Sequence, residues 1–146
     1  MQSVLRKLFS LDSRSLADLV AAQRALLRAR RLLKRQPIGS LTIRDTGVGA
    51  SPAGDPDRAR AVAQAVTRAA THGLFRPFCL VRALALRELL HQQGISGSEI
   101  RIGVRRRNGG FSAHAWVRWG DQILGDLPEH VATFTEVDDI RVLEGS

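Results

Sequence analysis

Apolar positions along the chain change period once, from helical to alternating. Between residues 14 and 35, Leu16, Leu19, Val20, Leu26, Leu27 and Leu33 recur near the 3.6-residue period, sharing their stripe with Gln23 and Arg30. Arg24, Arg28, Arg31 and Arg35 fall mostly elsewhere, so this segment predicts an amphipathic helix. Ser13 or Ser15 can cap it, and Pro37 with Gly39 stops it. Residues 36–54 (QPIGSLTIRDTGVGASPAG) read as a loop or linker. Their glycines precede no Gly-Lys-Ser/Thr and follow no convincing strand, so they are not a phosphate loop. Asp55-Pro56 opens a second helix with an apolar stripe of Ala59, Val62, Val66 and Ala69, ending near His72-Gly73. After the break at Arg76-Pro77-Phe78, a third helix runs from about Cys79 to Gln93. Leu80, Ala83, Leu84, Leu86, Leu89 and Leu90 are its apolar positions, and Gly94 its stop.

From Ile100 the period is two. Ile100, Ile102 and Val104 alternate with polar residues, and Asn108-Gly109 within RRRNGG supplies a hairpin turn. Residues 112–119 (SAHAWVRW) form the return strand, Gly120-Asp121 turns again, and 122–126 (QILGD) make a third strand. Residues 133–137 and 140–143 predict short edge strands. Helices followed by an antiparallel meander define an α+β class. The expected division is an N-terminal amphipathic helix and linker over 1–54, then a core over 55–146.

Composition narrows the function. The chain has 146 residues, 44% of them apolar, enough for one domain with its own core. No apolar run approaches a membrane span, and the charged N-terminus does not resemble a secretory signal. With a single cysteine no internal disulfide can form, which together with the missing signal predicts a cytoplasmic protein. Four histidines without paired ligand spacing predict no metal. Of 22 basic residues only Lys7 and Lys34 are lysine, and the net charge is +8. Residues 1–78 carry 14 basic and 5 acidic residues, the remainder 8 and 9, so the basicity belongs to the N-terminal half. That half suits an acidic partner or an anionic membrane surface, or is simply an Arg-rich solvated face. Aromatics are 5% with no Tyr, and no nucleic-acid signature is present, so nucleic acid is not an expected partner.

The lone cysteine is unusually placed. Pro77 bars helix before Phe78, so Cys79 falls in the first turn of the third helix. Free N–H groups and the dipole there favour a thiolate and can steady an oxyanion; alternatively Cys79 is a small buried apolar residue. His114 lies mid-strand between Ala113 and Ala115, and suits a general base or a half-buried structural histidine. Pairing about the turn at 120–121 sets residue 114 opposite 126 or 127, so the Asp126 carboxylate can orient the imidazole. His72, His91 and His130 offer less.

Cys79-Leu80-Val81-Arg82-Ala83-Leu84-Ala85-Leu86, Gly94, Ile102-Gly103-Val104, Ala113-His114-Ala115-Trp116-Val117 and Asp126 together resemble the transglutaminase-like cysteine peptidase core. Within it they resemble most the lasso-peptide biosynthesis B2 branch, the leader peptidases. The resemblance covers residues 55–130 strongly and extends to the N-terminal helix. It implies Cys79 as nucleophile, His114 as base and Asp126 as orienting acid. It further implies, without any cofactor, leader removal from a ribosomally made precursor peptide, so that the core can be cyclised by a separate lasso cyclase. Longer members carry a strand-rich leader-recognition module that is not seen here, which implies a separate recognition protein of the B1 type as partner. Arg118 stands where the family often has an acidic residue, which would alter charge near the site.

Arg82, one turn after Cys79, can bind substrate or pair with an internal acid. Trp116 shares the His114 face and can wall the site or fill the core. A second oxyanion donor is not visible; Gln64 is the only candidate on a nearby helix. The competing reading is a non-catalytic module whose Arg-rich helix binds an acidic protein or peptide.

Overall fold

The computed structural model describes residues 13–35 and 51–137. Their elements are α1 (Ser13–Arg35), α2 (Pro56–His72), α3 (Cys79–Gln92), β1 (Ser98–Arg107), β2 (Gly110–Trp119), β3 (Gln122–Leu124), α4 (Pro128–Val131) and β4 (Thr135–Glu136). The architecture is α+β, helices first and then a four-stranded antiparallel sheet in the order β3-β2-β1-β4.

α3 carries apolar residues on several faces because it lies between layers: it packs against α1, α2 and the sheet. Val81, Ala83, Ala85, Leu86, Leu89 and Leu90 are all buried along it. α2 starts as its sequence dictates, with the Asp55 carboxylate accepting from the Asp57 N–H at 3.0 Å and Pro56 at the first position. Its stripe of Ala59, Val62, Val66 and Ala69 is buried.

α1 docks on only part of the stripe its leucines suggest: Leu26 is fully buried and Leu33 packs against the core, and alanines supply the rest of the contact. Ala22, Ala25, Leu26 and Ala29 are buried, whereas Leu16, Val20 and Leu32 are exposed. Three alanines flank Leu26 on this contact face, and Leu16, Val20 and Leu32 are left outside it. The bidentate pair of Arg58 with Asp18, at 2.8 and 2.6 Å, ties α1 to α2. These α1 residues belong to the same core cluster as α2, α3 and the sheet.

The hairpin turn is Asn108-Gly109, both with positive φ (51° and 80°), as a two-residue turn requires. β3 ends at Leu124, two residues short of the expected strand, because Gly125 takes φ +75° and turns the chain. The predicted strand at 133–137 is the two-residue β4, paired with Gly103 and Val104 of β1. Ala53, read as linker, forms an isolated bridge to Ser96. The rest of the linker, residues 36–50, and the expected strand at 140–143 lie outside the described residues.

Candidate active site

β2 is covered by β3 only as far as Val117, the partner of Leu124. Beyond that point no described strand covers its edge, and Cys79, Arg82, Ala83 and Leu86 of α3 line a cleft there together with His114, Trp116 and Asp126. The three residues read as nucleophile, base and orienting acid are thus gathered in one cleft. Among the described residues no hydrogen bond joins the Cys79 thiol to the His114 ring.

Cys79 is the first residue of α3 and is half-buried. Its N-cap is Phe78, whose extended backbone makes no side-chain cap, so the N–H groups of this first turn keep no side-chain acceptor. N–H groups so placed can receive an oxyanion formed next to the thiol.

His114 sits opposite Gly103 of β1. A Cβ at position 103 would lie 2.8 Å from both Phe134 Cβ and Trp116 Cη2, so the glycine is what lets these aromatic rings close over the strand pair. His114 stacks on Phe134 (centroids 5.1 Å) and on Trp116 (6.0 Å), which fixes the plane of the imidazole. Trp116 is only 4% exposed and lines the cleft, so it is both packing and wall.

Asp126 reaches His114 by a route the strand arithmetic does not supply. Extending the β2–β3 register sets Ala115, and not His114, opposite Asp126, on the other face of the sheet. The turn at Gly125 removes Asp126 from that register, and its Oδ2 accepts from His114 Nε2–H. Oδ1 accepts from the Leu127 N–H at 2.7 Å and from His130 Nδ1–H at 3.2 Å. Burial pushes the Asp126 carboxyl up, but the hydrogen bonds from His114, Leu127 and His130 and the charge of His114 outweigh it and hold the group below its ordinary value. An ionised carboxylate only accepts. Nε2 therefore carries the proton, and Nδ1 is the nitrogen free to take one.

His130 is the residue that sequence reasoning passed over. Pro128 starts the short α4, which carries His130 back over Asp126, and its ring meets His114 edge-on at 4.7 Å. The signal was the i,i+4 spacing of Asp126 and His130 across Leu127-Pro128. Ligand-type atoms of His114, Asp126 and His130 lie within 4.8 Å of one another, so these are the residues that could hold a cation. As arranged, both carboxylate oxygens are engaged by N–H donors. If this chain turns over a peptide, His130→Ala should slow it about tenfold, the worth of one hydrogen bond to a charged group. It should also move the acid limb of the pH–rate profile upward, because one of the bonds holding Asp126 low is gone.

Arg82 pairs with no acid among the described residues. Its guanidinium donates to the Gly125 carbonyl at 3.3 Å and so ties α3 to the turn that delivers Asp126. Arg118 is drawn away from the cleft: it pairs with Glu99 (3.4 Å) and Glu136 (3.5 Å), which also hold Arg101. Its expected effect on charge at the site is therefore absent from the cleft. Gln64 lines a neighbouring groove and not the cleft of Cys79. His72 and His91 are exposed at the ends of α2 and α3.

Among the described residues no helix is long and apolar enough to cross a membrane. A family model described as the transglutaminase-like superfamily matches residues 19–138. No curated protein and no solved structure gives a match.

Proposed function

The chain belongs to the transglutaminase-like superfamily, and from that premise we propose that it is a cysteine peptidase acting through an acyl-enzyme. The observation that carries the reading is the His114–Asp126 hydrogen bond within a cleft that Cys79 also lines. In the proposed sequence His114 Nδ1 takes the thiol proton and the Cys79 sulfur attacks the scissile carbonyl. The C–N bond then breaks as His114 returns the proton to the leaving amine. A water, deprotonated by His114, adds to the thioester and releases the acid. The first-turn N–H groups of α3 are the oxyanion donors in this scheme. An amine in place of water would give acyl transfer by the same residues.

The finer reading is leader removal from a ribosomally made lasso precursor peptide. It is supported by the run Cys79-Leu80-Val81-Arg82-Ala83-Leu84 with Ala113-His114-Ala115-Trp116-Val117. A separate leader-recognition protein and a lasso cyclase are its partners on this reading.

The test is iodoacetamide alkylation of Cys79 followed by mass spectrometry against pH, on the wild type and His114→Ala. Fast labelling at neutral pH that slows on loss of His114 is expected. Slow labelling that rises only in alkali and ignores His114 would remove the peptidase reading. The leader reading is tested by incubation with a lasso precursor, with and without a leader-recognition protein. Hydrolysis adds one water across a single peptide bond, which distinguishes cleavage from transfer.

A further inference from the structure

The geometry points to an arginine-lined groove, continuous with the Cys79 cleft, that binds a peptide segment carrying two carboxylates about four residues apart. The inference rests on the peptidase reading, since the occupant is the peptide to be cut. The groove runs between α2 and the turn after β3, and it shares Arg82, Leu124, Gly125 and Asp126 with the cleft. A chain with its scissile carbonyl at Cys79 therefore passes along it.

The charge of the groove is one-sided. Arg60, Arg68 and Arg82 line it against a single acid, Asp126, whose two oxygens are already engaged by His114, Leu127 and His130. Among the described residues Arg68 has no ion-pair partner. Among them Arg60 pairs only with Asp57, whose side chain is 86% exposed, so that pair is weak and exchangeable. Arg60, Gln64 and Arg68 recur at every fourth residue on the exposed face of α2, which makes them one stripe along the groove wall. Leu127, exposed at 66%, gives the opposite wall an apolar surface.

Guanidinium forks match carboxylates in a bidentate way, so the stripe selects Asp or Glu over a neutral amide. Arg60 and Arg68 are eight helical residues apart, about 12 Å at ~1.5 Å per residue. An extended peptide covers that distance in about four residues, and residues i and i+4 then face the same side. The substrate class is thus an extended peptide with acidic side chains at i and i+4, within a few residues of the cut. This gives a role to part of the basicity of the N-terminal half.

The test is fluorescence anisotropy with a fluorescein-labelled Ser/Leu decapeptide carrying Glu at i and i+4, and with its Gln twin, on the Cys79→Ala chain. Glu binding should exceed Gln binding, should weaken with salt, and should fall about tenfold or more in Arg60→Gln/Arg68→Gln. The control Arg24→Gln/Arg31→Gln, with the same net charge on the exposed face of α1, should bind within about twofold of its parent. Equal binding of the Glu and Gln peptides, no binding, or equal losses in both double variants would overturn the inference. The alkylation experiment separates the two readings. An inert thiol with charge-selective binding refutes the peptidase and leaves the groove; a reactive thiol without such binding refutes the groove alone.

Discussion

Asp126→Asn should lower peptide turnover on the order of 10³–10⁴-fold while leaving the chain folded. The size follows from the hydrogen-bond inventory around the carboxylate. Asp126 accepts from three N–H groups, those of His114, Leu127 and His130. An amide brings one acceptor oxygen and one NH2 donor, so at least one of those contacts must invert. If the Leu127 N–H keeps the oxygen, the NH2 faces His114, and Nε2 must become the acceptor. The proton then sits on Nδ1, and the ring has no lone pair left for the thiol. The variant should therefore show a slow Cys79 alkylation rate at neutral pH along with lost turnover, and a far-UV circular dichroism spectrum like the parent's. An Asp126→Asn chain that turns over at more than about a tenth of the wild-type rate would show that the carboxylate does not set the tautomer.

The same carboxylate gives a pH dependence with a definite sign. Its folded value is depressed below the ordinary 3.8. Its contribution to stability is therefore complete above the unfolded value and is lost as pH falls through the lower, folded one. The difference in urea midpoint between wild type and Asp126→Asn should be constant from neutral pH down to about 5, and should close only below the ordinary carboxylate range.

Much of this arrangement is legible in the chain, and what is not has identifiable causes. Asn108-Gly109 demands its turn, and Asp55-Pro56 its helix start, because both are local chemistry. The proximity of residues 114 and 126 follows from counting across the turn at 120–121. The face does not: pairing by register would leave Asp126 on the side of Ala115, and only the left-handed Gly125 redirects it. His130 was hidden for a related reason, since a four-residue helix leaves no periodicity to read. The docking face of α1 is legible at Leu26 and not at Ala22, Ala25 and Ala29, because side-chain hydrophobicity ranks Leu above Ala, while close helix packing favours the smaller residue. Among the described residues Arg82 meets no acid; its guanidinium donates to a backbone carbonyl, which carries no signal in sequence.

Leu90→Ala should cost about 2–5 kcal/mol of stability, in the range of buried leucine truncations. Leu90 is fully buried in the last turns of α3, and its carbonyl accepts the Ile95 N–H at 2.9 Å where the chain leaves the helix. Collapse of the surroundings is what would reduce the cost, and here it is restricted. α3 is packed against α1, α2 and the sheet, and three of the four buried residues of α1 are alanines, which have no side chain to reach into a void. Against a total stability of about 5–15 kcal/mol such a loss is large, and a fall in both urea midpoint and Tm is expected. Val20→Ala on α1 removes an equally apolar group at a 52% exposed position and should change stability by no more than about 0.5 kcal/mol. The contrast tests the observed face of α1: a large loss at Val20 would mean that the side carrying Leu16 and Val20, and not the side carrying Ala22, Leu26 and Ala29, faces the core. Cys79 sits at the other end of the same helix, so in native buffer Leu90→Ala should leave its alkylation rate per folded molecule unchanged. A rate that fell with stability would instead mean that the cleft is held open by the packing of the whole helix and not by the local contacts at its first turn.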